Sequence, residues 1–124
     1  MGPTSLSKPG YAFDNASAIL PHLELPKSGV TSQFCAELAK NLECHVFAGY
    51  PERLSEDELA EIEASAKDRN GEPLYTEDGK EIHRVGANSA VFYGPDGSWL
   101  GGYRKTHLYE MDKPWAKPGK KIFL

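Results

Sequence analysis

The chain has little cysteine, no long apolar run and no concentrated positive charge, and each shortage removes a class of function. Cys35 and Cys44 are its only cysteines in 124 residues. Two thiols at that spacing make neither a disulfide framework nor a metal site, and they point to a reducing compartment, cytoplasmic or nuclear. No apolar stretch approaches the roughly 20 residues of a membrane-spanning helix, so a soluble protein without a membrane partner is expected. Met1-Gly2-Pro3-Thr4-Ser5 lacks the apolar core of a signal peptide. The net charge is −4 and the adjacent basic pairs are Arg104–Lys105 and Lys120–Lys121 alone, which argues against nucleic acid as a partner.

What remains is the material of one small globular domain, residues 1–124. Residues 1–10, rich in Pro, Ser and Gly, read as a loose N-terminus. Asn15 to Leu23 suits a short helix with Ile19, Leu20 and Leu23 on one side, ended by Pro21. Thr31 or Ser32 can cap a second helix, in which Phe34, Cys35, Leu38, Ala39 and Leu42 form one apolar stripe. Cys44 to Tyr50 is short, apolar and bounded by Pro51, as a buried strand would be. Helix followed by strand suggests an α/β layered arrangement. Residues 54–84 change character: Ser55 and Glu58 form a capping box, the following helix is mostly acidic, and Asn70-Gly71 ends it. This stretch reads as a polar surface insertion. Ala87–Tyr93 and Ser98–Lys105 flank Gly94-Pro95-Asp96-Gly97, and alternation on both sides of that turn predicts a β-hairpin. Ile122-Phe123-Leu124 suits the start of a further strand.

The hairpin carries the most specific signal. Asn88-Ser89-Ala90-Val91-Phe92-Tyr93-Gly94-Pro95-Asp96-Gly97, followed by Gly102-Tyr103-Arg104-Lys105-Thr106-His107-Leu108-Tyr109, resembles the carbon–nitrogen hydrolase (nitrilase) superfamily. Gly10-Tyr11-Ala12-Phe13 and Ala48-Gly49-Tyr50-Pro51-Glu52 resemble two further stretches of that family, in the same order. Pro21-His22-Leu23-Glu24 and Tyr109-Glu110-Met111-Asp112 before Trp115-Ala116 are similar to its fungal branch that deamidates N-terminal Asn and Gln on proteins, within the N-degron pathway. The resemblance implies an α+β fold, a partial four-layer αββα sandwich. It implies an amidohydrolase whose substrates are peptide or protein N-termini. A carbamoyl- or small-amide hydrolase of the same superfamily and a truncated, non-catalytic product stay open, as does a homo-oligomer of the full-length parent.

The family works through a Glu–Lys–Cys triad: a thiolate nucleophile, a glutamate that moves protons and a lysine that stabilises the tetrahedral oxyanion. By motif the lysine is Lys105. The glutamate belongs shortly before Gly10, where Pro3 to Lys8 stand, and no glutamate precedes Glu24. The nucleophile is expected on a strand beyond Leu124. Cys35 and Cys44 do not replace it, since both read as small buried hydrophobes. The chain alone is therefore expected to be inactive. His107 follows Lys105 by two and either orients the site or is structural. Glu110 is the nearest candidate for the second glutamate that the family often has after its lysine. His22, His45 and His83 are scattered, so no metal is expected, and the resemblance implies no cofactor. Trp99 and Trp115 read as packing residues.

Overall fold

The computed structural model describes residues 15–120, an alternation of helices and antiparallel strands. The helices are α1 (Ala16–Ile19), α2 (Val30–Leu42) and α3 (Glu56–Asp68). The strands are β1 (Val46–Arg53), β2 (Leu74–Tyr75), β3 (Glu81–Ile82), β4 (Gly86–Tyr93) and β5 (Trp99–Arg104). The expectations for residues 1–10, for Gly10–Phe13 and for a strand at residues 122–124 lie outside the described residues.

Asn15 caps α1 by accepting the Ala18 N–H at 2.9 Å. The helix tightens into a 3₁₀ turn at Leu20–His22, because Pro21 has no N–H to continue the α ladder. Ile19 and Leu23 are buried with Ala16, Trp115 and Ala116 in one core cluster. Leu20, expected on the same side, is instead 49% exposed, since the tighter turn swings it outward.

Helix α2 starts at Val30 with Gly29 as its cap, two residues earlier than Thr31 would give. The Glu24 carboxylate explains the shift. Its two oxygens take the Thr31 N–H at 2.7 Å and the Thr31 hydroxyl at 2.9 Å. A negative charge from another segment thus satisfies the helix N-terminus. The apolar stripe is also rotated from expectation. Cys35 and Ala39 are buried, while Phe34 and Leu42 are 61% and 62% exposed. The sheet beneath offers Tyr50, Tyr93 and Trp99, so the helix presents its small residues there and packs closely.

The main sheet has the order β1–β4–β5, all antiparallel. Tyr50 lies opposite Ser89 and Glu52 opposite Ala87; Ser89 in turn lies opposite Arg104. Alternation gives two faces. Val46, Ala48, Tyr50, Val91 and Tyr93 pack under α2. Phe47 and Phe92 meet edge-on at 6.1 Å on the other face, where Phe47 is 62% exposed. β1 therefore is not the wholly buried strand expected, and it runs through Pro51. It is an edge strand of the sheet: the Pro51 carbonyl points away from β4 and accepts the Glu24 N–H at 2.8 Å, so the missing proline N–H lies on the side away from β4, where Glu24 makes a single bridge.

Residues 54–84 hold α3 and the β2–β3 hairpin. The capping box is present in full, with the Glu58 N–H on the Ser55 hydroxyl and the Glu58 carboxylate back on the Ser55 N–H. Asn70 and Gly71 adopt positive φ and close the helix. No α3 residue is buried.

Candidate active site

Lys105 directly follows β5, and its backbone is held from both sides. Its N–H donates to Asn88 C=O at 2.8 Å, and its C=O accepts the Gly119 N–H at 2.9 Å. The segment after it folds back as a turn. The Asp112 N–H donates to Tyr109 C=O at 2.9 Å, and Asp112 C=O accepts Ala116 N–H at 2.9 Å. The fully buried Trp115 and Ala116 anchor that turn in the core. Gly86 makes the anchoring possible: a Cβ there would stand 2.5 Å from Leu23 Cδ2 and 2.7 Å from Glu52 O.

This arrangement puts two groups against the Lys105 ammonium and a third behind one of them. The Asp112 carboxylate, 3% exposed as a residue, lies 3.6 Å away. The Tyr109 ring centroid is 3.4 Å away, a cation–π contact. Asn88 Nδ2 donates to the same Asp112 oxygen at 3.2 Å. The lysine side chain keeps 25% exposure, so the ammonium is held yet reachable.

His107 is exposed. Glu110 is exposed too, and its carboxylate pairs with Lys113 at 2.6 Å on the surface of the turn. The acid that the fold brings to Lys105 is Asp112, two residues further on, which the sequence reading passed over. A motif search for glutamate could not find it; only the turn that folds residues 109–116 back under β4 reveals it.

A second cluster lies on the opposite side of β5, because neighbouring strand residues point to opposite faces. Arg104 forks onto two carboxylates. Its Nε and Nη2 donate to Glu52 at 2.9 Å each, and its Nη1 and Nη2 donate to Glu58. The Ser89 hydroxyl adds a bond to Glu52 at 2.7 Å. The hydrogen bonds from Arg104 hold the Glu58 carboxyl down at about 2, against a smaller opposing effect of burial. Burial, then the Glu52 charge, pushes the nearby Tyr50 phenol well up. A cleft of about 470 Å³ opens here, lined by Tyr50, Glu52, Glu58, Trp99, Arg104 and Lys117 among others. Lys105 does not line it. Within the cleft, Arg104 pairs with Glu52 and Glu58, and Lys117 lies 3.7 Å from Glu58.

Cys35 is buried, and burial followed by the Glu24 charge pushes its thiol up, as an inert thiol requires. Cys44 is exposed, contrary to the buried position expected, because it follows the left-handed Glu43 that ends α2 and precedes β1. Trp115 packs in the core, fully buried. Among the described residues no three His, Cys, Asp or Glu side chains form a metal-holding group. No helix among them is long and apolar enough to cross a membrane.

The chain matches a known family. The carbon-nitrogen hydrolase family model covers residues 5–122, and the chain belongs to that family. Among curated proteins it is similar to the protein N-terminal amidase of Schizosaccharomyces pombe, 28% identical over 113 residues. That match covers 90% of this chain and 31% of the relative. It is also similar to the protein N-terminal amidase of Saccharomyces cerevisiae, 26% identical over 106 residues, with 86% of this chain and 17% of the relative covered. The chain thus spans less than a third of the length of the curated relatives it matches. Crystal structures of an N-terminal amidase, including one with an Asn-Glu peptide, superpose with a TM-score of 0.59 at 22% identity. They cover 89% of this chain and 20% of theirs, and they establish the shared fold.

Proposed function

We propose that this chain forms the lysine-bearing part of an amidohydrolase that deamidates N-terminal Asn or Gln of proteins. The observation that carries the reading is the placement of Lys105. Its ammonium stands at the end of the hairpin, backed by a buried carboxylate and an aromatic ring, and stays accessible from solvent. In the proposed reaction a cysteine thiolate, supplied by sequence outside these 124 residues, attacks the side-chain amide carbon. Negative charge moves to the amide oxygen, where Lys105 stabilises it. Collapse breaks the C–N bond, and a glutamate protonates the departing ammonia. Water then releases the thioester, leaving Asp or Glu at the N-terminus. His107 and Glu110 are proposed to support the site from its rim.

The sheet with α2 on one face would be half of a four-layer αββα sandwich, the second sheet covering the face that carries Phe47 and Phe92. The similarity to two curated N-terminal amidases, and to solved N-terminal amidase structures of which one holds an Asn-Glu peptide, favours peptide N-termini over small amides.

The experiment is ammonia release by the full-length protein from peptides beginning with Asn or Gln, beside small amides and carbamoyl compounds. Turnover of the peptides well above the small substrates is expected. Preference for a small amide or carbamoyl compound would move the protein to that branch of the family. The 124-residue chain by itself is expected to release no ammonia from any of them, since nucleophile, proton relay and oxyanion stabiliser act as a unit. Turnover by the short chain that disappears on Lys105→Ala would overturn the assignment of the cysteine and glutamate.

A further inference from the structure

We propose that Asp112 is a positioning residue for Lys105: its buried carboxylate fixes where the ammonium stands, and so how well it meets charge developing on an amide oxygen. This inference rests on the reading of Lys105 as the oxyanion stabiliser.

A lysine at a strand end has a long flexible stem and many rotamers of similar energy. Stabilising a transition state needs the charge in place beforehand, and a misplacement of about 1 Å can cost about a hundredfold in rate. Lys105 therefore needs something rigid to hold it. Asp112 is rigid: it is 3% exposed, and its backbone carbonyl accepts the N–H groups of Trp115 at 3.2 Å and Ala116 at 2.9 Å. Both of those residues are fully buried. The Asp112 oxygen that faces Lys105 also accepts the Asn88 amide at 3.2 Å, and the Asn88 backbone carbonyl accepts the Lys105 N–H at 2.8 Å. Backbone and side chain of the lysine are thus registered against the same strand.

The separation matters as much as the contact. At 3.6 Å, Nζ to Oδ2 is longer than the about 2.8 Å of a charge-assisted hydrogen bond. The carboxylate attracts the ammonium without taking up one of its three donors. The Tyr109 ring, 3.4 Å away at its centroid, limits movement without accepting a conventional hydrogen bond. The donors remain for a substrate oxygen. By contrast Lys113 donates to Glu110 at 2.6 Å, and that donor is occupied.

The test compares the full-length protein with Asp112→Asn, Lys105→Ala and the double variant, using ammonia release from a peptide with N-terminal Asn. Asp112→Asn keeps the shape and the bond from Asn88 but removes the charge. The expected result is a kcat loss of about 10–100-fold with KM changed by less than about threefold. In the Lys105→Ala background the same substitution should cost less than about threefold more, since Asp112 acts through the lysine. An Asp112→Asn protein with wild-type kcat, while Lys105→Ala is impaired, would overturn this inference alone. Equal losses in both backgrounds would also overturn it, marking a merely structural residue. Wild-type turnover by Lys105→Ala would remove the reading of Lys105 itself, and this inference with it. Should Asp112→Asn not fold, Asp112→Glu keeps the charge and displaces it. A kcat loss above about tenfold at unchanged KM then supports positioning, and wild-type kcat contradicts it.

Discussion

Cutting the Arg104 fork on its two sides should give two different penalties. Glu58→Gln removes a carboxylate from α3 that accepts from two guanidinium nitrogens. Hydrogen bonds to charged groups are worth about 1.5–3 kcal/mol, and the Glu58 side chain is 22% exposed, so the lower half of that range is expected. Arg104→Met does more. It leaves Glu52, whose side chain is 12% exposed, with Ser89 as its remaining side-chain donor. Breaking a buried pair and stranding its charge costs about 3–5 kcal/mol. Urea unfolding of both variants at pH 7 should rank them in that order. The pH dependence is the sharper check. The Glu58 carboxyl titrates at about 2 in the folded chain against an ordinary 4.5, so the folded state binds its proton less readily than the unfolded state. Its contribution is fully present above about pH 4.5 and is lost as pH falls toward 2. The stability gap between wild type and Glu58→Gln should therefore shrink across that window. A gap that is constant from pH 7 to pH 2.5, or a Glu58→Gln penalty equal to that of Arg104→Met, would refute the reasoning.

Two further outcomes follow from packing. Gly86→Ala should destabilise by about 1–3 kcal/mol in urea unfolding, because its Cβ would meet the Glu52 carbonyl oxygen and the Leu23 side chain at under 3 Å. A neutral substitution would mean that Leu23 and the Glu52 backbone can draw back from β4 freely. Cys44 should react with a thiol reagent in the native protein, while Cys35, buried and with its thiol pushed up, should react only on unfolding. Equal labelling rates without denaturant would contradict the burial of Cys35. Selective capture of either thiol by an amide-mimicking electrophile would contradict placing the nucleophile elsewhere than Cys35 and Cys44.

The parts legible in sequence were those set by near neighbours. The β4–β5 hairpin follows from alternation on either side of Gly94-Pro95-Asp96-Gly97, and the start of α3 follows from Ser55 and Glu58 three positions apart. The parts that escaped depend on distant partners. Glu58 reads as a local cap, yet the same carboxylate reaches Arg104, 46 residues away. Thr31 reads as a cap, yet Glu24 takes over that task and lets α2 begin earlier. The stripe on α2 contained enough apolar residues for two faces. Which one meets the sheet was decided by the bulk of Tyr50, Tyr93 and Trp99, which sequence periodicity does not weigh. Pro51 reads as a strand end, but on an edge strand its missing N–H costs nothing. At the site, Lys105 came from its motif. Asp112 needed the return of the chain under β4, a contact across 24 residues from Asn88.

The measurement that tests the central claim most directly is the turnover of Lys105→Met in the full-length protein. Methionine keeps most of the length and apolar stem of lysine and removes its charge. If Lys105 stabilises the tetrahedral oxyanion, kcat for ammonia release from a peptide with N-terminal Asn should fall about 10²–10³-fold, equivalent to about 2.7–4 kcal/mol of lost transition-state stabilisation. KM should stay near wild type, while the unfolding midpoint should fall, because the buried Asp112 carboxylate loses its cationic partner. A Lys105→Met protein whose kcat remains within about threefold of wild type would contradict the claim, and Lys105 would then be an ordinary strand-end lysine paired with Asp112.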